Sequence, residues 1–530
     1  MSLTLILLLI PVGLLVAIAV TGLLQPAPYP PFRKLLPALS WGVGTVSAFS
    51  FALYFVSGPQ SLILSLGGIE LLHLRFDVVS ATLVALVGFV GAIVLAFSGR
   101  YLEGEARQGE FTAWLSLAMA SVLMLVQSGH VIQLAVFWFA TSFFLHKLLL
   151  FYPERRGAQR AARKKFLFAR MGDVFLVASG LILWLHFGTG DIAAINEGAR
   201  ALEGADSLSL TLAALMLAGA AILKSAQFPF HGWLTEVMET PTPVSALLHA
   251  GIINAGGFLL IRFADVMLLA PGVLALLVLV GGFTALFAGL VMLTQPAVKT
   301  SLAWSTISQM GFMIFQCGLA LFPLALLHIV LHSLYKAHAF LSSGNAVRQV
   351  ASIRRPGPIA VPSLKAVAAS FVTAIAIYSL TAVVIGLEGK SPQAVALGAI
   401  LVFGVAYMLA QGFADKAPRQ LSLYTAGYAV AVTVAYFALQ SLSLHLTKAS
   451  LPLTPAPDGL EWALITLALI SFGLTAFAQA TFPNWANHPA VRGLRVHLNN
   501  GFYINAVWDR VLGGWRLDVP QQTTSDHQKG

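Results

Sequence analysis

Two ionisable side chains, Lys224 and His249, lie in neighbouring apolar segments on either side of a proline-containing stretch. Pro229 has no N–H and its ring clashes with the preceding turn, so a helix carrying Lys224 must break or unwind there. Pro241 and Pro243 predict the start of a second helix, with His249 about two turns inside it. Ionisable groups at depth in a membrane usually mark an ion or proton path. We therefore predict a proton or sodium pathway through Lys224 and His249.

A second group of ionisable residues, His328, His332 and Lys336, recurs at intervals of four residues in another apolar segment. Residues four apart lie roughly 40° apart around a helix axis, so the three form a slowly twisting polar stripe. His338 falls on the opposite face, and we expect it to have a structural role. Instead of belonging to an ion pathway, the three residues of the stripe could form hydrogen bonds that hold neighbouring helices together.

Further charged residues are candidates for supporting roles. Arg170 and Asp173 are three residues apart and can pair on one helix face. Lys299, at a predicted helix start, could belong to the pathway or could extend to the membrane surface, an alternative that also applies to Lys224. The other supporting candidates are Asp77, which could tune or align neighbouring groups, and the residues between the two helices, His231, Glu236 and Glu239. We expect the two glutamates of this connection to act as entry groups for protons.

The composition indicates what must position these residues. Of 530 residues, 58% are hydrophobic and 10% are charged, whereas a soluble domain carries roughly 25% charged residues. Apolar windows of roughly 20 residues predict an all-α polytopic membrane protein with about fifteen transmembrane helices. The predicted helices are residues 3–21, 36–56, 78–98, 111–128, 130–151, 167–186, 210–227, 242–264, 272–293, 300–320, 322–344, 366–386, 394–413, 421–440 and 461–481. The net charge of +10 comes from short loops and does not indicate nucleic-acid binding.

The distribution of basic residues predicts how the chain is oriented. The loop after the fifth predicted helix, residues 155–165, is strongly basic and is assigned to the cytoplasm, and alternation places most other basic loop residues on the same side. The N-terminus is then periplasmic and the C-terminus cytoplasmic, in a bacterial inner membrane. Residues 482–530 mix aromatic, Arg and Asn residues, which is typical of an interfacial helix or a docking tail.

The segment KSAQFPFHGWL followed by PTPVSALLHA resembles the core motif of the antiporter-like subunits of respiratory complex I and Mrp-type cation/proton antiporters. HIVLHSLYKAHAFL resembles the second channel helix of that family, and Lys299, Asp77, Arg170 and Asp173 match further family positions. The resemblance implies two inverted five-helix repeats, with a broken helix at the first ion site. The implied divisions are helices in 1–110, repeats at 111–264 and 272–413, helices in 414–481 and a cytoplasmic tail at 482–530.

The sequence departs from this family at two positions. Phe139 stands where the fifth helix normally carries a glutamate, and residues 366–386 hold no charge where a second broken helix normally carries a lysine. HAGIINAGGFLLIRFADV resembles the membrane subunit of the DAB inorganic-carbon accumulation complex. That resemblance implies a non-enzymatic, cation-conducting subunit paired with a large cytoplasmic subunit (DabA) similar to a β-type zinc carbonic anhydrase. Cation influx would drive conversion of CO2 to bicarbonate, with zinc on the partner and no metal or cofactor in this chain.

Three other functions stay open at this stage. They are a subunit of a respiratory redox complex, a subunit of a multi-subunit cation/proton antiporter, and a structural membrane anchor. The missing anionic groups argue against the antiporter, and the buried Lys and His residues argue against a passive anchor. The residues do not decide between H⁺ and Na⁺, nor do they show the coupling mechanism or the oligomeric state.

Overall fold

The computed structural model describes residues 3–25, 30–202, 207–352, 362–386, 390–414 and 418–512, and most of them lie in helices. The helices are α1 (Leu3–Leu24), α2 (Pro30–Ser57), α3 (Val78–Tyr101), α4 (Gln108–Val126), α5 (Val131–Leu149), α6 (Arg156–Phe187), α7 (Ile192–Ala201), α8 (Leu208–Lys224), α9 (Gly232–Glu236), α10 (Thr242–Ala250), α11 (Ala255–Arg262), α12 (Ala264–Leu268), α13 (Pro271–Met292), α14 (Val298–Gly318), α15 (Phe322–Ser352), α16 (Leu364–Ile385), α17 (Pro392–Gly412), α18 (Arg419–Thr447), α19 (Gly459–Trp485), α20 (Pro489–Asn499) and α21 (Ile504–Val511). Strands β1 (Gln60–Leu66) and β2 (Ile69–Phe76) form an antiparallel hairpin between α2 and α3.

Within the described ranges, 13 helical segments are long and apolar enough to cross a membrane, with α10 and α11 counted together as one. Two further helices complete the predicted set: α8, which has 17 residues, and α14, which has 21 but is more polar. Each predicted transmembrane segment therefore coincides with a helix, and the prediction of an all-α polytopic membrane protein is confirmed. The hairpin and the amphipathic α7 were not predicted, because hydropathy windows of membrane length pass over such short elements.

The prediction that residues 155–165 form a loop is wrong. Helix α6 begins at Arg156, eleven residues before the predicted start at 167, and Lys164 and Lys165 are buried within it. Basic residues lower the mean hydropathy of a window, so a transmembrane helix is predicted to start after them. Lys and Arg are nevertheless good helix formers, and their long aliphatic stems pack on apolar surface. The helix therefore continues through a stretch that hydropathy alone assigns to a loop.

The expected break beside Pro229 is confirmed, and the structure adds a second one. Helix α8 ends at Lys224, and the chain forms a loop and α9 before it enters α10. Directly after α10, Gly251 leaves helical geometry with φ −131° and ψ −74°, and a short 3₁₀ turn leads into α11. The Ser225 hydroxyl donates to the carbonyl of Ile253 at 2.8 Å, so the two breaks are tied to each other.

Close packing of α8 against α11 holds these breaks in place. A Cβ atom at Gly256 would lie 2.4 Å from the Ser225 Oγ and 2.6 Å from the Ala221 carbonyl oxygen, so only glycine fits there. Small residues of this kind let membrane helices approach closely and gain van der Waals contact. In the second half, by contrast, the uncharged segment 366–386 lies in the continuous helix α16 (Leu364–Ile385). The division into inverted repeats stays a prediction.

Candidate ion pathway

Two buried lysines meet at one serine in the first half of the chain. Lys224, at the end of α8, donates from Nζ to the Ser142 hydroxyl on α5 at 2.9 Å. Lys165, on α6, donates from Nζ to the backbone carbonyl of the same serine at 2.6 Å. The Lys224 ammonium also lies 4.3 Å from the centre of the Trp138 ring, one turn earlier on α5. The two amines therefore lie on either side of one residue that offers them a hydroxyl and a carbonyl oxygen.

The predicted pair of Arg170 and Asp173 forms on α6 beside this serine. Arg170 Nη2 lies 2.8 Å from Asp173 Oδ2, and the Asp173 charge acts on Lys224. The guanidinium of Arg170 stacks 4.1 Å above the ring of Phe139, the residue that replaces the expected glutamate. A carboxylate is thus present near Lys224, but it comes from α6 rather than α5.

His249 occupies the centre of the second group. Its Nδ1 lies 3.0 Å from the Thr306 hydroxyl on α14, and its ring stacks on Phe340 with centroids 4.3 Å apart. Lys336 on α15 donates from Nζ to the backbone carbonyl of Leu302 at 3.0 Å, and the Thr306 hydroxyl donates to that same carbonyl, also at 3.0 Å. Thr306 and Leu302 therefore connect His249 to Lys336 through a chain of hydrogen bonds.

The predicted polar stripe on α15 faces the interior of the bundle. His332 Nε2 lies 3.1 Å from the His249 carbonyl oxygen, and its ring is 5.9 Å from that of His328. The two ring nitrogens of His328 lie 2.8 Å and 3.0 Å from the amide oxygens of Gln316 and Gln309 on α14. His338 is exposed, as the predicted helix geometry requires.

Two small cavities flank the second helix break. One, of about 20 Å³, is lined by Ser142, Lys165, Lys224 and Ile252, and the other, of about 30 Å³, is lined by Ile252, Asn254 and Ser333. A cavity of roughly 10–15 Å³ holds one water molecule, so each space is large enough for one. Ile252, in the irregular turn that follows α10, borders both cavities.

Glu236, a predicted entry group, lies in an ion-pair network at the first break. Lys164 Nζ lies 2.6 Å from Glu236 Oε1 and 2.8 Å from Asp509 Oδ1 on α21. Burial raises the pKa of Glu236, and the hydrogen bond from Lys164 opposes that rise. Trp508, beside Asp509, donates from Nε1 to the carbonyl of Pro229 at 2.8 Å. The C-terminal helix therefore packs on the broken segment of its own chain.

His231 lies in the same loop but among aromatic rings. Its ring stacks on Phe228 at 5.8 Å and lies 5.6 Å from Phe287 and 5.1 Å from Trp304. Burial, with the nearby Lys164 charge, lowers the pKa of His231 to about 4. The histidine is therefore neutral at physiological pH and acts as a packing residue at the break.

Two predicted site residues, Asp77 and Lys299, are not brought to these groups. Asp77 caps the N-terminus of α3 and lies 2.6 Å from Arg262 Nη1 and 2.9 Å from Arg75 Nε. Burial raises the pKa of Asp77, but the two guanidinium groups outweigh burial and lower it below its usual value. Lys299 is half-buried at the second residue of α14, one turn from Leu302. The side chain of Glu239 lies outside the described part of the chain.

Sequence reasoning missed Lys165, Ser142, Lys164 and Asp509. The two lysines lie in the basic run that was assigned to a loop, and Ser142 is a single hydroxyl in an apolar helix. Asp509 belongs to the C-terminal tail, and its contact with Lys164 depends on how the tail packs against α6. Nearness in sequence offers one signal, because Lys165 lies only five residues before Arg170 and eight before Asp173. Extending the helix of Arg170 upstream would have placed Lys165 within it.

The chain was compared with protein-family models and with known proteins. Residues 128–383 match the family model described as NADH:quinone oxidoreductase/Mrp antiporter, TM. A probable inorganic carbon transporter subunit DabB2 of Halothiobacillus neapolitanus is 36% identical over 494 residues, which is 91% of this chain and 88% of that protein. A probable inorganic carbon transporter subunit DabB of Hydrogenovibrio crunogenus is 44% identical over 287 residues, or 54% and 55% of the two chains. NADH-quinone oxidoreductase subunit L of Escherichia coli is 34% identical over 320 residues, or 58% and 52%.

Solved structures share the fold at low sequence identity. A chain of the Mrp complex from Dietzia sp. DQ12-45-1b superposes with a TM-score of 0.61 at 23% identity, covering 97% of this chain and 60% of that chain. A chain of respiratory complex I from Thermus thermophilus superposes with a TM-score of 0.51 at 19% identity, covering 95% and 99%. These similarities show an antiporter-like helical architecture.

Proposed function

Because the chain belongs to the DabB family of inorganic carbon transporter subunits, within the larger antiporter-like family, we propose that it conducts the cation that energises such a transporter. The observation that carries the proposal is the meeting of Lys165 and Lys224 at Ser142, directly beside a helix break. Buried amines next to an irregular backbone are typical of an ion path through a membrane protein. A passive anchor would gain nothing from the cost of burying them.

The first step of the proposed path is a proton exchange between the two lysines. Two ammonium groups that approach one serine repel each other, so a proton on one disfavours a proton on the other. The Ser142 hydroxyl accepts from Lys224 and the Ser142 carbonyl accepts from Lys165, and the adjacent cavity of about 20 Å³ has room for one water molecule that would bridge the two amines. Asp173 supplies the negative charge that allows the pair to hold a proton.

The second step crosses the break at Ile252. Beyond it, Asn254 donates to the Ser333 hydroxyl at 2.9 Å. His249 bonds the Thr306 hydroxyl, and Lys336 donates to the Leu302 carbonyl, which also accepts from Thr306. Imidazole can take a proton on one nitrogen and release it from the other, which suits a relay. The Ile252 side chain would have to move for water to join the two cavities, and that motion would gate transfer.

We propose H⁺ rather than Na⁺ as the conducted ion. The side chains that line this path are amines and imidazoles, which bind protons and repel a metal cation when they are charged. Sodium sites in transporters are instead built from unwound backbone carbonyls and helix C-terminal ends. The carbonyl oxygens of Ser142 and Leu302 already accept hydrogen bonds from Lys165 and Lys336.

The proposed partner is a large cytoplasmic subunit resembling a β-type zinc carbonic anhydrase. In this proposal the partner holds the zinc and hydrates CO2, while inward proton flow through the present chain drives the reaction towards bicarbonate. The chain would lie in a bacterial inner membrane with its N-terminus in the periplasm. The docking surface would combine the tail from Asn484 with the loop Phe228–Thr240, which already contact each other through Trp508 and Pro229.

A respiratory proton-pumping subunit is the second candidate function. The similarity to subunit L of the Escherichia coli NADH-quinone oxidoreductase, over 58% of this chain, favours it. Phe139 in place of a glutamate and the uncharged, unbroken α16 argue against it. Neighbouring subunits would distinguish the two functions.

Affinity purification followed by transport measurement tests the proposal. The chain should copurify with one large zinc-containing soluble protein, and the pair should restore labelled bicarbonate accumulation in a host that lacks carbonic anhydrase. Collapse of the proton gradient should abolish accumulation, whereas collapse of a sodium gradient should not. Copurification with flavin and iron–sulfur subunits instead would support the respiratory function.

Deletion of residues 484–530 tests the docking surface separately. We expect the deletion to remove the zinc protein from the purified sample while the membrane helices still insert. If the partner still binds at the wild-type level, the tail is not its docking site, and the proposed conduction path is unaffected by that result.

A further inference from the structure

A wide cavity lies where α5 ends and α6 begins. It has a volume of about 810 Å³ and is lined mainly by the end of α5, the first turns of α6, and α21. Arg156, Arg160, Arg163 and Lys164 supply its charged wall, against the single carboxylate of Asp509. The cavity is therefore strongly electropositive, and none of the proposed transfer steps uses it.

The basic residues repel one another unless an anion lies between them. Arg156, Arg160 and Lys164 follow one another at intervals of four residues and share one face of α6, and like charges at this spacing destabilise a helix. They also lie in the first turns of α6, where the helix dipole adds further positive charge. Lys164 is neutralised by Glu236 and Asp509, but Arg156 and Arg160 are exposed towards the cavity.

The other wall of the cavity is apolar. Leu150, Phe166 and Leu512 line it, and Phe166 is exposed on the outer surface of α6. A cavity that combines arginines with an apolar wall, at the level where helices enter a bilayer, fits an amphiphile with a negative head. A free oxyanion would bind the arginines but would leave the apolar wall of the cavity exposed to water.

We propose that this cavity binds the phosphate head of an anionic phospholipid, with Arg156 and Arg160 as its main contacts and an acyl chain along Leu150 and Phe166. The bound lipid would relieve the repulsion along α6. It would also lie beside Lys164, which holds the helix break to the C-terminal helix through Glu236 and Asp509. Anionic lipid would therefore stabilise the docking of α21.

Native mass spectrometry of the purified full-length chain with its bound partners tests this site. The probes are dioleoyl phosphatidylglycerol and, as the neutral lipid with the same acyl chains, dioleoyl phosphatidylcholine. We expect the wild type to retain phosphatidylglycerol in preference to phosphatidylcholine. The double variant Arg156→Gln/Arg160→Gln should bind phosphatidylglycerol about thirtyfold more weakly, which is roughly fivefold for each arginine near the membrane surface.

The matched control is Arg100→Gln/Arg419→Gln, which removes two exposed arginines, in the last turn of α3 and at the start of α18, that do not line the cavity. It should bind phosphatidylglycerol as the wild type does. If the double variant of the cavity fails to fold, Arg160→Gln alone should show the fivefold effect. Equal loss in the control, or equal binding of both lipids, would overturn the proposal. Displacement of phosphatidylglycerol by inorganic phosphate or bicarbonate at matched concentration would overturn it too, since it would identify a site for free oxyanions.

Discussion

The two groups of buried ionisable residues differ in what can balance a positive charge. In the first, Lys165 and Lys224 share Ser142 while the carboxylate of Asp173 lies close by. In the second, the described hydrogen bonds of His249 and Lys336 go to the Thr306 hydroxyl and the Leu302 carbonyl, and no carboxylate takes part. A positive charge in the first group therefore has a carboxylate to oppose it, whereas in the second group the described contacts offer dipoles alone.

This difference indicates separate roles for the two groups. A buried cation without a counter-ion is costly, so a proton that arrives on His249 or Lys336 favours release of a proton from its neighbour. The first group, with Asp173, suits loading and storage of a proton. The second, with imidazoles in sequence along α15, suits rapid passage. Arg170 lies over Phe139 and pairs with Asp173, which shows how the first group keeps a carboxylate without the expected glutamate.

Removal of Lys224 should have the largest effect. Lys224→Ala eliminates the proton-holding amine beside the break, and we expect bicarbonate accumulation to fall about a hundredfold or more, as for loss of a proton-transfer group. Lys147→Ala, at an exposed lysine near the end of α5, is the control and should retain activity. Near-normal accumulation in Lys224→Ala cells with normal membrane expression would contradict the proposed path.

Substitutions on α15 should lower bicarbonate accumulation only where they remove a residue of the buried face. Lys336→Ala and His332→Ala should each lower accumulation by about tenfold to a hundredfold, because each removes a buried relay group. His338→Ala, on the exposed face, should stay within about twofold of the wild type. Equal losses at all three positions would show that the effects do not follow the buried stripe.

Ser142→Ala separates the two contacts of the first group. It deletes the hydroxyl that binds Lys224 but keeps the backbone carbonyl that binds Lys165, so we expect about a tenfold loss from one charged hydrogen bond. Thr141→Ala is the control, since the Thr141 hydroxyl bonds only the Phe137 carbonyl of its own helix. If both variants transport alike in the same assay, the serine does not link the two lysines.

The packing of the C-terminal helix α21 against the broken segment at Pro229 can be weakened without changing a lysine. Trp508→Ala removes the bond to Pro229 and the ring contacts with Phe168 and Phe230, and should cost roughly 2 kcal/mol of stability. Limited proteolysis should then cut the C-terminal segment earlier. Trp485→Ala should leave the cleavage pattern unchanged, because the described hydrogen bond of its indole goes to Thr481 on the same helix.

The smallest expected effect concerns pH at the first break. The pKa of His231 is lowered to about 4 in the folded chain, so the unfolded chain binds more protons between about pH 6.5 and pH 4. Stability should therefore fall as pH decreases through that window, by at most roughly 2 kcal/mol between pH 7 and pH 5. Thermal unfolding of His231→Gln should show a smaller drop over this range. An identical drop in wild type and variant would assign the pH dependence to other groups.

The residue pattern predicted the transmembrane helices, the break at Pro229 and the buried face of α15. These features are local: a membrane of fixed thickness selects apolar windows of a given length, proline blocks one helical turn, and residues four apart share a face. The same local rules failed for α6, because the basic residues that extend it resemble a loop in hydropathy. They also gave no sign that the chain breaks again at Gly251, where the neighbours that stabilise the irregular backbone are distant in sequence.

Only the tertiary structure decided which ionisable groups meet. Lys224 and Ser142 are 82 residues apart, Arg262 and Asp77 are 185 apart, and Trp508 and Pro229 are 279 apart. Such contacts depend on how whole helices pack, and a helix of given periodicity can turn its polar side chain towards many neighbours. Helix packing placed Asp77 beside Arg262, where the two form a structural ion pair. It also brought Lys165, which hydropathy had assigned to a loop, to the same serine as Lys224.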